Sequence, residues 1–211
     1  MTTLTELLGD LNDLLDDVAN TKVPEAQKIR YINRGQKAMF PKIYQIAVDS
    51  TLVLVADQYE YVVPSALNEG ILLGVEMETT ASSSDFTQMD GRVFDLSPTA
   101  SFGQTLVLKN YNELPMVAGA SIRFTAALPL TALTTGTDVY SGPGVTDELP
   151  VLYAMAMATA KDYEERINYE RFNTTQALNG VLLDDISRTA NWWMRQFQLL
   201  LDQLTMPVPN P

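Results

Sequence analysis

The chain contains no cysteine and no histidine. Without cysteine there is no disulfide, no thiolate nucleophile and no thiolate metal site. Without histidine the usual general base near neutral pH and the commonest zinc ligand are missing. The N-terminus, Met1-Thr2-Thr3-Leu4-Thr5-Glu6, has no basic region followed by an apolar core, so no signal peptide is expected. Long apolar runs are lacking too: the longest uncharged one, Leu149 to Ala160, is too short to cross a bilayer. These absences predict a soluble protein made in a reducing compartment, with no membrane partner. The sequon Asn173-Thr174-Thr175 is then without consequence.

What is present is an ordinary globular balance, 46% apolar and 19% charged over 211 residues, sized for one domain with a large insertion. The net charge of −12 is unevenly spread. Residues 1–20 carry five acids and no base, residues 21–45 six bases and one acid, and residues 46–148 thirteen acids against three bases. Solubility alone is one account of this acidity. A sharper one is that the middle of the chain repels nucleic acid while the first two helices attract each other. Specific DNA binding through phosphate contacts is not expected.

Periodicity divides the chain into helical ends and a strand-rich middle. Thr3 and Glu6 make a Thr-x-x-Glu capping box, after which Leu4, Leu7, Leu8, Leu11, Leu15 and Val18 keep to one face. Pro24 suits the first turn of a second helix striped by Ile29, Ile32, Gln36, Met39 and Ile43, with Lys28, Arg30, Arg34 and Lys37 on its other faces. The two, over residues 3–19 and 24–46, read as an antiparallel hairpin with complementary charged edges. From Thr51 the period shortens. Strand candidates are Leu52–Val55, Tyr59–Val63, Ile71–Thr79, Arg92–Leu96, Thr105–Lys109 and Ser121–Ala126, with loops at Ala81–Asp85 and Ser97–Gly103. The Gly-rich stretch Thr134–Gly144 reads as a flexible connector.

A third helix follows Thr146 or Asp147, apolar all round from Val151 to Ala160 and therefore central to the bundle. Beyond it, Lys161–Glu165 and Asp162–Arg166 are spaced for ion pairing, and Gly180 breaks the helix. The last helix has a seam of Ile186, Ala190, Trp193, Phe197, Leu200 and Leu204. Met206-Pro207-Val208-Pro209-Asn210-Pro211 cannot continue it and reads as an extended tail. The predicted fold class is α+β: a bundle of about four helices with a small antiparallel β sandwich or barrel inserted between helices 2 and 3. Its parts are residues 1–47, a helical hairpin; 48–133, the β insertion; 134–147, the connector; 148–204, the helices that complete the bundle; and 205–211, the tail.

Chemistry has few places to reside. Asp16/Asp17 and Asp184/Asp185 are adjacent carboxylates, and adjacent helical residues point about 100° apart, so neither pair converges on one atom. A helix-start role fits Asp184/Asp185 better. Asp85, Asp90 and Asp95 are not at calcium-loop spacing. No phosphate loop or nucleophile elbow is present, so no enzyme, cofactor or metal site is expected. Two features suggest contact with other chains. Trp192, one step round from the seam, aligns with Gln196, Leu199 and Gln203 on a half-polar stripe, which suits either partial burial or a subunit interface at Trp192 and Leu199. The tail residues Met206, Pro207, Val208 and Pro209 suit either a free end or a segment that docks on a partner.

The order of these features resembles the head-to-tail connector (adaptor) proteins of tailed bacteriophages. It is carried by the leucine-rich first helix, Arg30-Tyr31-Ile32-Asn33-Arg34 in the second, and Gln58-Tyr59-Glu60-Tyr61-Val62-Val63-Pro64. Tyr111-Asn112-Glu113-Leu114-Pro115 and the Ala-rich helix after Asp147-Glu148-Leu149-Pro150 complete it. The resemblance implies a structural protein of the virion neck, made in the host cytoplasm and assembled with neighbouring copies as a dodecameric ring beneath the portal. It also implies that the C-terminal segment engages the portal protein, that loops meet a downstream neck or tail protein, and that DNA passes through without specific binding. The competing reading is a non-viral module that holds a glycan or small ligand on the β insertion. An exposed row drawn from Tyr59, Tyr61, Phe86, Phe94, Phe102 and Tyr111 would favour it.

Overall fold

The structure, a computed structural model, describes residues 1–98, 103–109, 117–172 and 180–204, and of residues 98, 162–172 and 180–186 the backbone alone. The tail 205–211, the sequon at Asn173, Phe102, the Tyr111–Pro115 segment and the expected pairs at Lys161–Glu165 and Asp162–Arg166 involve residues outside the described set. The fold is α+β, with four helices and two antiparallel sheets among the described residues. All the strands lie between the second and third helices. One compact unit joins Met1–Tyr44 to the described residues between Leu130 and Leu204, and Gln45–Pro129 makes the other.

Helix α1 (Leu4–Leu15) starts at the expected capping box: Glu6 N donates to Thr3 Oγ1 at 3.3 Å and Thr3 N donates to Glu6 Oε2 at 2.7 Å. Leu4, Leu7, Leu8 and Leu11 are buried. The helix stops earlier than the apolar stripe predicts, because Asp16 turns into the left-handed region at φ 50°. Val18 therefore leaves the stripe and is 72% exposed.

Helix α2 (Glu25–Met39) also ends early. Pro41 disfavours helical backbone at the residue before it, and Phe40 is extended. Ile43 is buried from outside the helix, and Ile29 is only half-buried. Gly35 lets α2 approach the start of the third helix closely: a β-carbon there would lie 3.0 Å from Pro150 Cα and from Tyr153 Cβ. Helix α3 (Glu148–Phe172) buries Leu149, Val151, Ala154, Met155, Ala156 and Ala158, as its apolar composition predicts. Both α1 and α2 pack more extensively on α3 than on each other. Helix α4 (Gly180–Gln203) closes this unit with Ala190, Phe197 and Leu201, and Phe197 meets Tyr153 edge-on at 5.4 Å. Gly180 is the first described residue of α4, and Asp184/Asp185 lie beyond its first described turn.

The complementary charge expected between the first two helical segments is realised, among the described residues, at a single pair, Lys28–Asp17. Among the described residues, Arg30, Arg34 and Lys37 make no ion pair with α1. Lys28, expected on an outer face, is instead fully buried against Asp17. The connector differs from a free linker as well. Leu4 N donates to Asp138 O, Thr5 N to Gly136 O and Tyr140 N to Thr2 O, so the segment is laced to the N-terminus.

The strand unit comprises β1 (Gln45–Val53), β2 (Glu60–Val62), β3 (Ile71–Glu78), β4 (Phe86–Gln88), β5 (Phe94–Pro98), β6 (Gln104–Leu108) and β7 (Ser121–Leu128). One sheet runs β1-β7-β3-β4 and the other β2-β6-β5. Tyr61 and Leu106 from the second sheet share a core with Val75, Ile122 and Phe124 from the first. Strand β1 begins within the predicted second helix, and its bulge between Asp49 and Leu52 obscures the alternation. β4 was not expected: it has three residues and follows a Ser-rich turn.

Candidate interaction surfaces

The turn between α1 and α2 is built around one buried ion pair. Lys28 Nζ lies 2.9 Å from Asp17 Oδ2, and neither side chain is exposed. The ammonium also donates to Asn12 Oδ1, Asn20 Oδ1 and the Asp17 carbonyl. The carboxylate accepts from the backbone N–H groups of Thr21, Lys22 and Val23 at 2.7–3.0 Å. Burial by itself would raise the Asp17 pKa, but these donors and Lys28 together hold it far below the usual carboxylate range. The Lys28 ammonium and the Asp17 carboxylate are both satisfied internally, so the cluster is structural.

Asn33 does similar work for the connector. Its amide donates to Leu133 O at 2.8 Å and accepts from Leu133 N at 2.9 Å. The connector closes on Asp138, whose carboxylate takes both the hydroxyl and the backbone N–H of Thr135 and of Thr134. Those bonds, the Thr135 hydroxyl foremost, keep its pKa well below the ordinary value. Nearby, burial pushes the Tyr140 phenol up to about 12, against the lowering effect of its contact with Thr146.

Two open grooves carry charge of opposite sign. The first runs along the outer face of α2, with Arg30, Arg34 and Lys37 exposed above Ile29 and Leu133. The second is edged by Asp10, Asp13 and Glu148, and its floor is Leu14, Val151, Leu152 and Trp193. Leu14 is 45% exposed there. Arg30, Arg34, Lys37, Asp10 and Asp13 form no ion pairs among the described residues.

The last helix shows the two expected faces. Trp193 packs against the core. Trp192 turns outward at 51% exposure, and Leu199, two turns on, is 47% exposed. The rings of Trp192 and Trp193 meet edge to face, with centroids 4.6 Å apart. Met206, Pro207, Val208 and Pro209 lie outside the described residues.

Of the aromatics proposed for a ligand row on the strand unit, the four that are described, Tyr59, Tyr61, Phe86 and Phe94, do not form an exposed row. Tyr61 is buried, with its hydroxyl bonded to Val55 and Gln58. Phe94 packs on the core, and Phe86 lies under Arg123 at 4.2 Å. Tyr59 is exposed. Among the described residues no group of three or more His, Cys, Asp or Glu could hold a metal ion. No described helix is long and apolar enough to cross a membrane.

The charged grooves escaped sequence reasoning because α1 and α2 were expected to satisfy each other. The hint was in the sequence: Arg30, Arg34 and Lys37 sit on one helical face, away from the buried stripe.

No family model matches this sequence, and no curated protein matches it. Among solved structures, the chain is similar to a component of the neck of an empty GTA particle, computed with C6 symmetry. The two share 12% identity over 74% of this chain and 79% of that one, with a TM-score of 0.32.

Proposed function

We propose that this chain is a structural, non-enzymatic protein of a phage-like neck, an adaptor that forms a ring of identical copies and joins a portal to the next neck or tail component. The observation that carries this reading is the outward face of α4. Trp192 and Leu199 expose large apolar side chains on a helix whose opposite face closes the bundle. A large amphipathic ring held in the open beside a second tryptophan suits an interface between subunits. The order of elements along the chain supports the same reading, since it is the order that prompted the resemblance to connector proteins. A dodecameric ring, a channel for DNA and portal capture by Met206, Pro207, Val208 and Pro209 are the finer parts of the proposal.

Negative-stain imaging of the purified protein, alone and mixed with a cognate portal, tests it. Rings in either sample are expected. A protein that stays monomeric and does not bind the portal would remove the adaptor reading. Truncation after Thr205 should preserve helical circular dichroism and abolish portal binding; unchanged portal affinity would move that contact to the helices or to the Thr134–Gly144 loop.

A further inference from the structure

We infer that the basic groove on α2 of one copy docks into the acidic, tryptophan-floored groove between α1 and α3 of the next copy. This deepens the ring reading and rests on it, by naming the two surfaces that meet. They differ, so the contact is head-to-tail, the kind that closes into a ring or runs on as a filament.

Charge complementarity identifies the occupant. The chain as a whole is strongly acidic, with a net charge of −12, so copies repel in most orientations. Arg30, Arg34 and Lys37 are an exposed basic row on that acidic molecule. Their intervals of four and three residues are matched on α1 by the exposed acids Glu6, Asp10 and Asp13. At about 1.5 Å per residue both rows run roughly 10 Å, so two helices lying side by side in the same direction bring Arg34 and Lys37 against Asp10 and Asp13, which edge the groove, and Arg30 against Glu6, which also holds the Thr3 cap. Within one chain the rows do not pair, and among the described residues none of Arg30, Arg34, Lys37, Asp10 or Asp13 makes an ion pair.

The groove floors complement each other too. Leu14 and Trp193 offer apolar surface beneath the acids. An arginine from a neighbouring copy can lay its methylenes on Leu14 and its guanidinium on the Trp193 ring while reaching Asp10 or Asp13. A nucleic-acid duplex is the poorer occupant, because three cations on an acidic protein give little phosphate neutralisation.

The test uses the full chain and two charge-reversal pairs, R30E/R34E and D10K/D13K, in sedimentation velocity at low and high salt. All four positions are exposed, so both variants should keep the wild-type melting temperature. Each variant alone should associate about tenfold more weakly or worse. An equimolar mixture should recover assembly, since every groove then faces one of opposite sign. Wild-type assembly should weaken as salt rises. Wild-type assembly that neither variant disturbs would overturn this contact while leaving the ring reading standing. A wild-type chain that never associates, with or without portal, would overturn both. Failure of the mixture to recover, with both variants folded, would overturn the pairing of these grooves. So would DNA binding that R30E/R34E abolishes while self-association is untouched.

Discussion

Asp17 and Lys28 form a buried ion pair at 2.9 Å whose every remaining polar atom is turned inward to the α1–α2 turn. Charges taken out of water are tolerated when each finds several partners, and removing one partner strands the other. Lys28→Ala should therefore destabilise the fold by about 3–5 kcal/mol. Asp13→Asn on the exposed face of α1 should cost well under ~1 kcal/mol. Chemical-denaturation midpoints check the ranking, and a mild Lys28→Ala would place the ammonium in water.

Leu11 is fully buried among α1, α2 and α3 side chains. Leu11→Ala should cost about 2–5 kcal/mol, made up of lost transfer energy and the cavity left behind. A denaturant melt that ranked it below Asp13→Asn would overturn the packing of α1.

Stability should fall in acid. Asp17, Asp138 and Glu78 all have folded pKa values below their ordinary ones, Glu78 chiefly through the backbone N–H groups of Ser121 and Ser84. In each case the unfolded chain takes up the proton first, so the stabilisation is complete above the unfolded values, about 4, and is lost as pH drops below them. Melting temperature should hold from neutral pH to about 5 and then decline. Asp138→Asn should flatten part of the decline; an unchanged slope would exclude that carboxylate as a contributor.

Gln36 sits 1% exposed on the buried side of α2, and neither its amide nitrogen nor its oxygen has a hydrogen-bond partner among the described protein atoms. Gln36→Met keeps the volume and removes the stranded amide, so it should stabilise the fold by about 1 kcal/mol or more. Thermal melts decide it, and a lower midpoint would mean that the amide is hydrogen-bonded after all.

Trp192 contributes to assembly and little to the fold. Trp192→Ala should weaken rings or portal-bound oligomers more than it lowers the melting temperature. A variant that unfolds outright would make Trp192 a core residue and move the interface elsewhere.

Local signals were legible in the sequence. The capping box at Thr3 and Glu6, the leucine face of α1 and the different faces taken by Trp192 and Trp193 each depend on residues within one or two helical turns. What escaped depends on partners distant in the chain or on shape. Lys28 reads as a surface charge until Asn12, Asp17 and Asn20 are folded round it. Thr134 to Asp138 reads as a linker because its polar groups find one another and the N-terminal residues, which no periodicity reveals. The early end of α2 was written in Pro41, but the apolar Ile43 just beyond it extended the stripe past the break.

Because α1 is buried by α3 rather than by α2 alone, the order of synthesis matters. On the ribosome, Leu4, Leu7, Leu8 and Leu11 emerge first, yet Val151, Ala154, Met155 and Ala158 that cover them emerge only after the whole of Gln45–Pro129. At ordinary translation speeds that interval is on the order of ten seconds. The strand unit is continuous in sequence and can fold during the wait, whereas the leading helices stay sticky and exposed to chaperones and proteases. Nascent chains arrested before α3 should therefore show a protected middle and a protease-sensitive beginning.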